Sequence, residues 1–199
     1  EKKTYMVELE SVKKFLKLKS RDSKKYTINV IVQNKASILL EYLKLYKTNF
    51  NIIVHKKDSK LKTKINKNNI NNFIVINSKS DQEFSDILLK HFSKKNNFFF
   101  LNLANKIFFD PFLNTHKKKI INFHPSYLPE HKGLNAFKKA YKTDLRSGAS
   151  VHFINKKIDG GKIILRKRYL IDRNKSFKFN RHKIFEIQFK QFCKIVESI

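Results

Sequence analysis

The chain contains few of the residue types that bend or cross-link a backbone. Its 199 residues include 4 Gly, 3 Pro, 1 Cys and no Trp. A single cysteine, Cys193, excludes an internal disulfide framework, and its helically spaced apolar neighbours favour a core or surface thiol over a nucleophile. No apolar stretch reaches the ~18 residues that a membrane span requires, and no signal-peptide pattern opens the sequence. These absences predict a cytoplasmic protein with no membrane partner.

Acidic residues are scarce as well. There are 44 Lys and Arg against 16 Asp and Glu, which gives a formal net charge of +28. Such a surplus suits a polyanionic partner such as nucleic acid. The lysines, however, are spread over nearly the whole chain, as in a composition biased towards Lys, Asn and Ile, and they form no single block. Nucleic acid is therefore a partner that we do not favour, and a positive field attracts small phosphorylated ligands equally well.

Strand and helix patterns alternate through the first hundred residues. Runs of β-branched and aromatic residues predict strands at 26–33, 51–55, 73–77 and 98–103. Helical apolar spacing predicts helices at 37–46 and 81–92, the second capped by Ser80 with Glu83 three residues later. The polar stretch 61–72 predicts a loop or weak helix. This alternation is typical of an α/β protein with a mainly parallel sheet flanked by helices.

The two ends of the chain differ from this pattern. Residues 1–26 are charged, with Val12, Phe15 and Leu16 at helical spacing, and predict a helix and linker appended to a domain that spans 27–199. Towards the other end, strands are predicted at 150–155 and 163–171. The Asp-Gly-Gly turn between them favours a hairpin, and 177–199 follows as a C-terminal helix.

Glycine and proline are concentrated in one segment. All four glycines and two of the three prolines fall between 125 and 161, and the third proline is Pro111, whereas residues 1–110 contain neither type. A chain that otherwise avoids these residues keeps them where the backbone requires them. The concentration favours a built site over the alternative, a loop-rich connection without function.

The residues around this segment suit acyl transfer. Asn122 and His124 flank Phe123, and in an extended strand positions i and i+2 face the same side. Asp159 precedes two glycines, so its backbone can turn tightly. An amide and a protonated imidazole can stabilise an oxyanion, while a carboxylate orients the imidazole or moves protons through water. Taken singly, His124 fits a structural histidine, and Asp159 fits the cap of a hairpin turn.

Four consecutive motifs resemble those of the folate-dependent formyltransferases, most closely the glycinamide ribonucleotide branch. They are NFHPSYLP at 122–129, KGL at 132–134, ASVHF at 149–153 and IDGGKIIL at 158–165, with Asp159 35 residues after His124. The resemblance implies a Rossmann-like formyltransferase fold. It also implies transfer of a formyl group from 10-formyltetrahydrofolate, the co-substrate, to the amine of glycinamide ribonucleotide in purine synthesis, without a metal.

The same resemblance implies a role for each site residue. Asn122 and protonated His124 hold the oxyanion, and Asp159 steers proton transfer. The folate lies against main chain near 103–108 and the 154–159 loop. The implied folate contacts are Leu103, Lys106, Ile107, Phe108 and Ile154. On the acceptor side, Ser150 and His152 support the site, and Lys183 and Glu186 contact the ribonucleotide.

The acceptor's phosphate loop departs from the family pattern. Relatives have a glycine-rich loop after the first strand, whose amides bind phosphate at a helix N-terminus, but residues 33–37 read QNKAS. Lys35 and Ser37 would substitute a charge and a hydroxyl for those amides. The alternatives are a formyltransferase for a nucleotide-linked amino sugar, a formyltetrahydrofolate hydrolase, and a basic nucleic-acid-binding scaffold with weakened catalysis.

Overall fold

Seven strands form one sheet in the computed structural model, which describes residues 11–14, 16, 26–33, 36–65, 70–93, 97–143 and 146–199. They are β1 (Thr27–Val32), β2 (Phe50–His55), β3 (Ile70–Ile76), β4 (Phe98–Asn102), β5 (Ile120–His124), β6 (Arg146–Phe153) and β7 (Ile163–Leu170). The order across the sheet is β3-β2-β1-β4-β5-β6-β7. Strand β1 is parallel to both β2 and β4, β2 is parallel to β3, and β4 is parallel to β5, whereas β6 and β7 pair antiparallel. The predicted parallel sheet with a C-terminal hairpin is confirmed.

Helices flank this sheet. They are α1 (Ser37–Leu45), α2 (Asp81–Phe92), α3 (Phe112–Thr115), α4 (Ala136–Thr143) and α5 (Phe177–Ser198), with a 3-10 helix at Lys56–Lys64. The predicted α2 is confirmed with its cap, because the Ser80 hydroxyl accepts a hydrogen bond from the Glu83 amide at 3.1 Å. Ser176 caps α5 in the same way through the Phe179 amide.

One predicted strand begins too late in the sequence, and two short helices were not predicted. The prediction of a loop or weak helix for 61–72 agrees with the 3-10 helix that extends to Lys64 but is wrong at 70–72, where β3 begins. Asparagines disfavour strands in isolation, and here parallel pairing with β2 overrides that preference. The short helices α3 and α4 were not predicted, because four and eight residues give too little apolar periodicity.

The chain divides into two compact units. Of the described residues, those within 25–122 and 154–157 form the N-terminal unit, and those within 123–153 and 158–199 form the C-terminal unit together with 11–14 and 16. Of the predicted appendage, residues 11–14 and 16 are helical, with Val12 and Leu16 buried. Residues 1–10, 15 and 17–25 lie outside the described residues, so the appendage stays a prediction.

A ladder of asparagines fixes the strand register of the N-terminal unit. The Asn72 side chain donates to Asn51 at 3.0 Å, Asn51 donates to Asn29 at 2.9 Å, and Asn29 donates to the Phe99 carbonyl at 3.2 Å. The ladder crosses four strands, and Asn29 and Asn51 are buried. A slip of one residue in any strand would leave these amides unpaired in the core, so the ladder disfavours wrong pairings.

The strand order reverses between β1 and β4 in the N-terminal unit. Open α/β sheets bind ligands at such a point, beyond the carboxyl ends of the strands. Residues 33–37 follow β1, and the segment 103–110, which has no helix or strand, follows β4. The Leu103 amide donates to the Ile31 carbonyl at 2.9 Å, which fixes where that segment starts.

In the C-terminal unit, α5 braces the end of β5 and the start of the hairpin. Gln188 donates to the Phe123 carbonyl at 3.2 Å, and Gln191 donates to the Ala149 carbonyl at 3.1 Å. Ile184 of the same helix packs in an apolar cluster with Phe137 and Ala149. The strand end that carries His124 is therefore held from a long helix.

Candidate active site

His124, the last residue of β5, faces an acceptor with each ring nitrogen. Its Nδ1 lies 3.3 Å from Asp159 Oδ2, and its Nε2 lies 3.0 Å from the His131 carbonyl oxygen. A carbonyl can only accept, so Nε2 carries a proton and donates it there. The imidazole is buried, and these two contacts fix the plane of its ring.

Asp159 is bound through both carboxylate oxygens. Oδ2 accepts the Gly133 amide at 2.7 Å, and Oδ1 lies 3.3 Å from Nε2 of His152. The residue has a φ of 45°, in the left-handed region, and two glycines follow it. A side chain on Gly161 would place its Cβ 1.6 Å from the Phe153 carbonyl oxygen. The glycine is therefore required for the turn that aims the carboxylate at both imidazoles.

For both His124 and Asp159, the effect of burial on the pKa is opposed by hydrogen bonds and by nearby charges. Burial alone would raise the pKa of Asp159, but hydrogen bonds from His152 and the Gly133 amide, with the nearby imidazoles, lower it to about 2. For His124, burial lowers the pKa, and the His131 carbonyl and Asp159 offset this only in part. Asp159 is thus fully ionised at neutral pH, and His124 releases a proton readily, which suits a group that exchanges protons during a reaction.

Two buried serines hold the turn after His124. The Ser150 hydroxyl donates to the Ser126 carbonyl at 2.8 Å and accepts the Leu128 amide at 2.9 Å. The Ser126 hydroxyl lies 2.9 Å from the Glu130 carbonyl and 3.1 Å from the His131 carbonyl. The carbonyl that His124 meets is therefore itself fixed, and Ser150 supports the site through the main chain.

Asn122 lies two residues before His124 on β5, as expected for side chains on one face of a strand. Its Oδ1 accepts a hydrogen bond from Asn102 of β4 at 3.0 Å. Because the oxygen of the Asn122 amide is directed at Asn102, its NH₂ group is the end that donates in any other direction. Asn102 in turn accepts the Ala104 amide at 3.3 Å.

Sequence reasoning missed Asn102, the His131 carbonyl and the Gly133 amide. Asn102 follows an apolar strand in a chain rich in asparagine, so nothing in its sequence context distinguishes it. The His131 carbonyl and the Gly133 amide are main-chain groups, which no side chain identifies in the sequence. Gly133 has a φ of 77°, a conformation that favours glycine at this position. The KGL motif was the one clue to this loop.

The residues assigned to the folate belong to the N-terminal unit. Phe108 is buried in a hydrophobic cluster with Phe112, and Ile154 packs on the same cluster. Ile107 is exposed, whereas Lys106 forms an ion pair with Asp81 at 2.7 Å. The remaining residue, Leu103, is half-buried directly after β4. These residues border one end of the sheet, and their contact with a folate stays a prediction.

The residues assigned to the acceptor are less completely described. Lys35 lies outside the described residues, and Ser37 is the exposed first residue of α1. On α5, Lys183 Nζ lies 3.1 Å from Glu186 Oε2, so these two form an ion pair with each other. Their contact with a ribonucleotide stays a prediction.

The described part of the chain offers no candidate for a metal site or for a membrane span. Within the described ranges, no group of three or more His, Cys, Asp or Glu side chains is placed to hold a metal ion. No helix in the described part of the chain is long and apolar enough to cross a membrane.

A mostly parallel sheet with a buried His–Asp pair at the end of β5 defines an α/β protein with a candidate acid–base site, and comparison with known proteins specifies the family. The model of the formyl transferase family matches residues 12–192. The chain therefore belongs to the formyl transferase family, which confirms the resemblance noted in its motifs.

Individual relatives agree with this assignment. A phosphoribosylglycinamide formyltransferase of Haemophilus influenzae is 41% identical over 64 residues, which are 32% of this chain and 30% of the relative. The matched segment thus spans under a third of that protein's length. The crystal structure of a phosphoribosylglycinamide formyltransferase from Streptococcus pneumoniae matches with a TM-score of 0.75 and 16% identity, over 87% of this chain and 98% of the other.

The fold alone does not identify the molecule that accepts the formyl group. A formyltetrahydrofolate deformylase from Pseudomonas syringae matches with a TM-score of 0.64 and 15% identity, over 85% of this chain and 61% of the other. Both structural matches are below 25% identity and establish the fold alone.

Proposed function

We propose that this chain transfers the formyl group of 10-formyltetrahydrofolate to the amine of glycinamide ribonucleotide, a step of purine synthesis, in the cytoplasm. The observation that carries the proposal is the buried His124–Asp159 pair, built at the end of β5 from the motifs shared with the glycinamide ribonucleotide branch. The Haemophilus relative, named for that activity, supports the choice of acceptor.

The chemistry follows from the groups present. The acceptor amine attacks the formyl carbon, and the carbonyl oxygen becomes an oxyanion. The Asn122 NH₂ group donates to that oxygen, since Asn102 holds the other end of the amide. The His124 Nε2–H donates to the His131 carbonyl in this structure. An oxyanion is a charged acceptor and forms the stronger bond, so it would compete successfully for the same proton.

Proton balance requires a second group. The attacking nitrogen loses one proton, and N10 of the departing tetrahydrofolate gains one. Asp159 is ionised at neutral pH and lies against both imidazoles, so it can stabilise the imidazolium that forms when His124 takes up a proton while a proton moves through water. His152 and Gly133 keep the carboxylate oriented during that transfer.

The experiment that tests the proposal offers a panel of acceptors to the purified chain. With 10-formyltetrahydrofolate as donor, the loss of the formyl group is followed by folate absorbance in the presence of glycinamide ribonucleotide, a nucleotide-linked amino sugar, or buffer alone. We expect turnover with glycinamide ribonucleotide that His124→Ala abolishes. Turnover only with the amino sugar, or equal turnover in buffer alone, would replace this proposal by an amino-sugar formyltransferase or a hydrolase.

A further inference from the structure

The segment after β4 is anchored to α2 by a carboxylate outside the catalytic set. Asp81, the first residue of α2, uses both oxygens for this purpose. Its Oδ1 accepts from Lys106 Nζ at 2.7 Å, and its Oδ2 accepts from the Ile107 amide at 3.1 Å. One side chain therefore fixes a lysine and the main chain of the next residue at the same time.

The next turn of α2 extends this anchor. Ser85 accepts the Phe109 amide at 3.1 Å and donates to the Asp81 carbonyl at 2.9 Å, and it is fully buried. Gln82 donates to the Asp110 carbonyl at 3.3 Å. The segment is thus held through its main chain at three positions by three side chains of one helix. A segment that has no helix or strand of its own obtains a defined shape in this way.

Lys106 contributes its charge to the same anchor. Its side chain is only 12% exposed, and its Nζ lies 4.7 Å from the centre of the Phe84 ring as well as next to Asp81. The carboxylate and the aromatic face together compensate the ammonium charge. Little of that charge remains for an anionic group of a ligand, so the basic residue at this position has a structural use.

We propose that Asp81 is a positioning residue for the formyl donor, acting by holding the segment 106–110 in the shape that binds the folate. In this assignment Lys106 serves the donor through the conformation of the segment and not through its own charge. The inference rests on the proposed function, which gives this segment to the folate, and it assigns a role to a residue that the motifs leave unmarked.

The first test is Asp81→Asn, which keeps the size of the side chain and removes its charge and one acceptor. We expect the KM for 10-formyltetrahydrofolate to rise roughly tenfold, because a loosened segment weakens donor binding uniformly. The kcat and the KM for glycinamide ribonucleotide should stay within about twofold of wild type, the scatter of such measurements for binding-only changes. Glu83→Gln is the matched control, since Glu83 lies on the same helix and accepts the Lys79 amide, outside the segment.

A lysine variant separates the proposal from its rival, in which Lys106 binds the donor directly. If Lys106 acts through Asp81, then Lys106→Met also raises the donor KM, and the double variant is no worse than the more severe single one. If Lys106 binds the donor by its charge, Asp81→Asn frees the ammonium and leaves the donor KM unchanged or lowers it. That result would overturn the proposal.

Hydrogen exchange gives a readout that needs no activity. In Asp81→Asn the Ile107 amide should exchange faster, and in Ser85→Ala the Phe109 amide should do so, while Glu83→Gln leaves both at wild-type rates. Suppose that Asp81→Asn transfers the formyl group and shows both the wild-type KM for the donor and the wild-type exchange rate at the Ile107 amide. That result would overturn this inference and leave the proposed function standing. A wild-type chain that transfers no formyl group would overturn the proposed function and this role with it.

Discussion

Asp159→Asn should reduce both the stability and the turnover of the chain, and the structure gives the size of the first effect. The carboxylate accepts the Gly133 amide at 2.7 Å and lies 3.3 Å from a nitrogen of each of two imidazoles. An asparagine would retain one acceptor and turn an NH₂ group towards another donor. The variant therefore loses a charge and gains a donor–donor conflict in a site that is largely buried.

The pKa of Asp159 sets the magnitude. It falls from an ordinary value of 3.8 to about 2, which corresponds to about 2 kcal/mol of preference for the ionised form in the folded state. Because the folded pKa lies below the unfolded one, this stabilisation is fully present above pH 3.8 and is lost as the pH falls through about 2. Near neutral pH the variant should unfold about 2 kcal/mol more easily than wild type.

Urea denaturation across a pH series measures this directly. The difference in unfolding free energy between wild type and Asp159→Asn should be constant from neutral pH down to about pH 4 and should shrink below it. Turnover at neutral pH should fall by ~100-fold, the scale for proton-transfer groups. Asp86→Asn is the control for a lost carboxylate. A stability difference that does not depend on pH, or near-wild-type turnover, would refute the reasoning.

Further changes test other parts of the site and the fold. His124→Ala should lower kcat by ~100-fold with the far-ultraviolet circular dichroism unchanged, and retained turnover would reject its role. Asn102→Ala should lower kcat by ~10-fold, because Asn122 loses the partner that orients its amide; an effect on KM alone would contradict this. Gly161→Ala should lower turnover by at least ~10-fold through displacement of the turn, with full turnover as the contrary result. Asn51→Ala should cost about 1–3 kcal/mol in thermal or urea unfolding, since it leaves the buried Asn29 amide without its donor, and a loss below ~0.5 kcal/mol would argue against the ladder.

Much of the fold was predictable because local patterns and tertiary packing agree. The strands are predicted by their runs of apolar residues, α2 by its apolar spacing and its Ser80 cap, and the β6–β7 hairpin by the Asp-Gly-Gly turn. Ile70–Asn72 was not predictable in the same way. Its strand state depends on pairing with β2 and on the side-chain bond to Asn51, which are contacts with residues some twenty positions earlier.

In the candidate site, too, some groups could be predicted from the sequence and others could not. Asn122, His124 and Asp159 could be predicted because motif spacing and strand periodicity point to them, and the structure places His124 against Asp159. The groups that fix them are main-chain atoms of His131 and Gly133, together with side chains such as Asn102. Such partners depend on backbone conformation, including left-handed φ values at His131 and Gly133. They become visible only once the chain is folded.

Transfer of an isotopically labelled formyl group gives the most direct test of the central claim. The purified chain is incubated with labelled 10-formyltetrahydrofolate and glycinamide ribonucleotide, and the products are identified by mass spectrometry. The account predicts that the label appears on the amine of glycinamide ribonucleotide with wild type, and that His124→Ala and Asp159→Asn each reduce its rate of appearance by ~100-fold. Label found only in free formate, or transfer at the same rate in both variants, would contradict it.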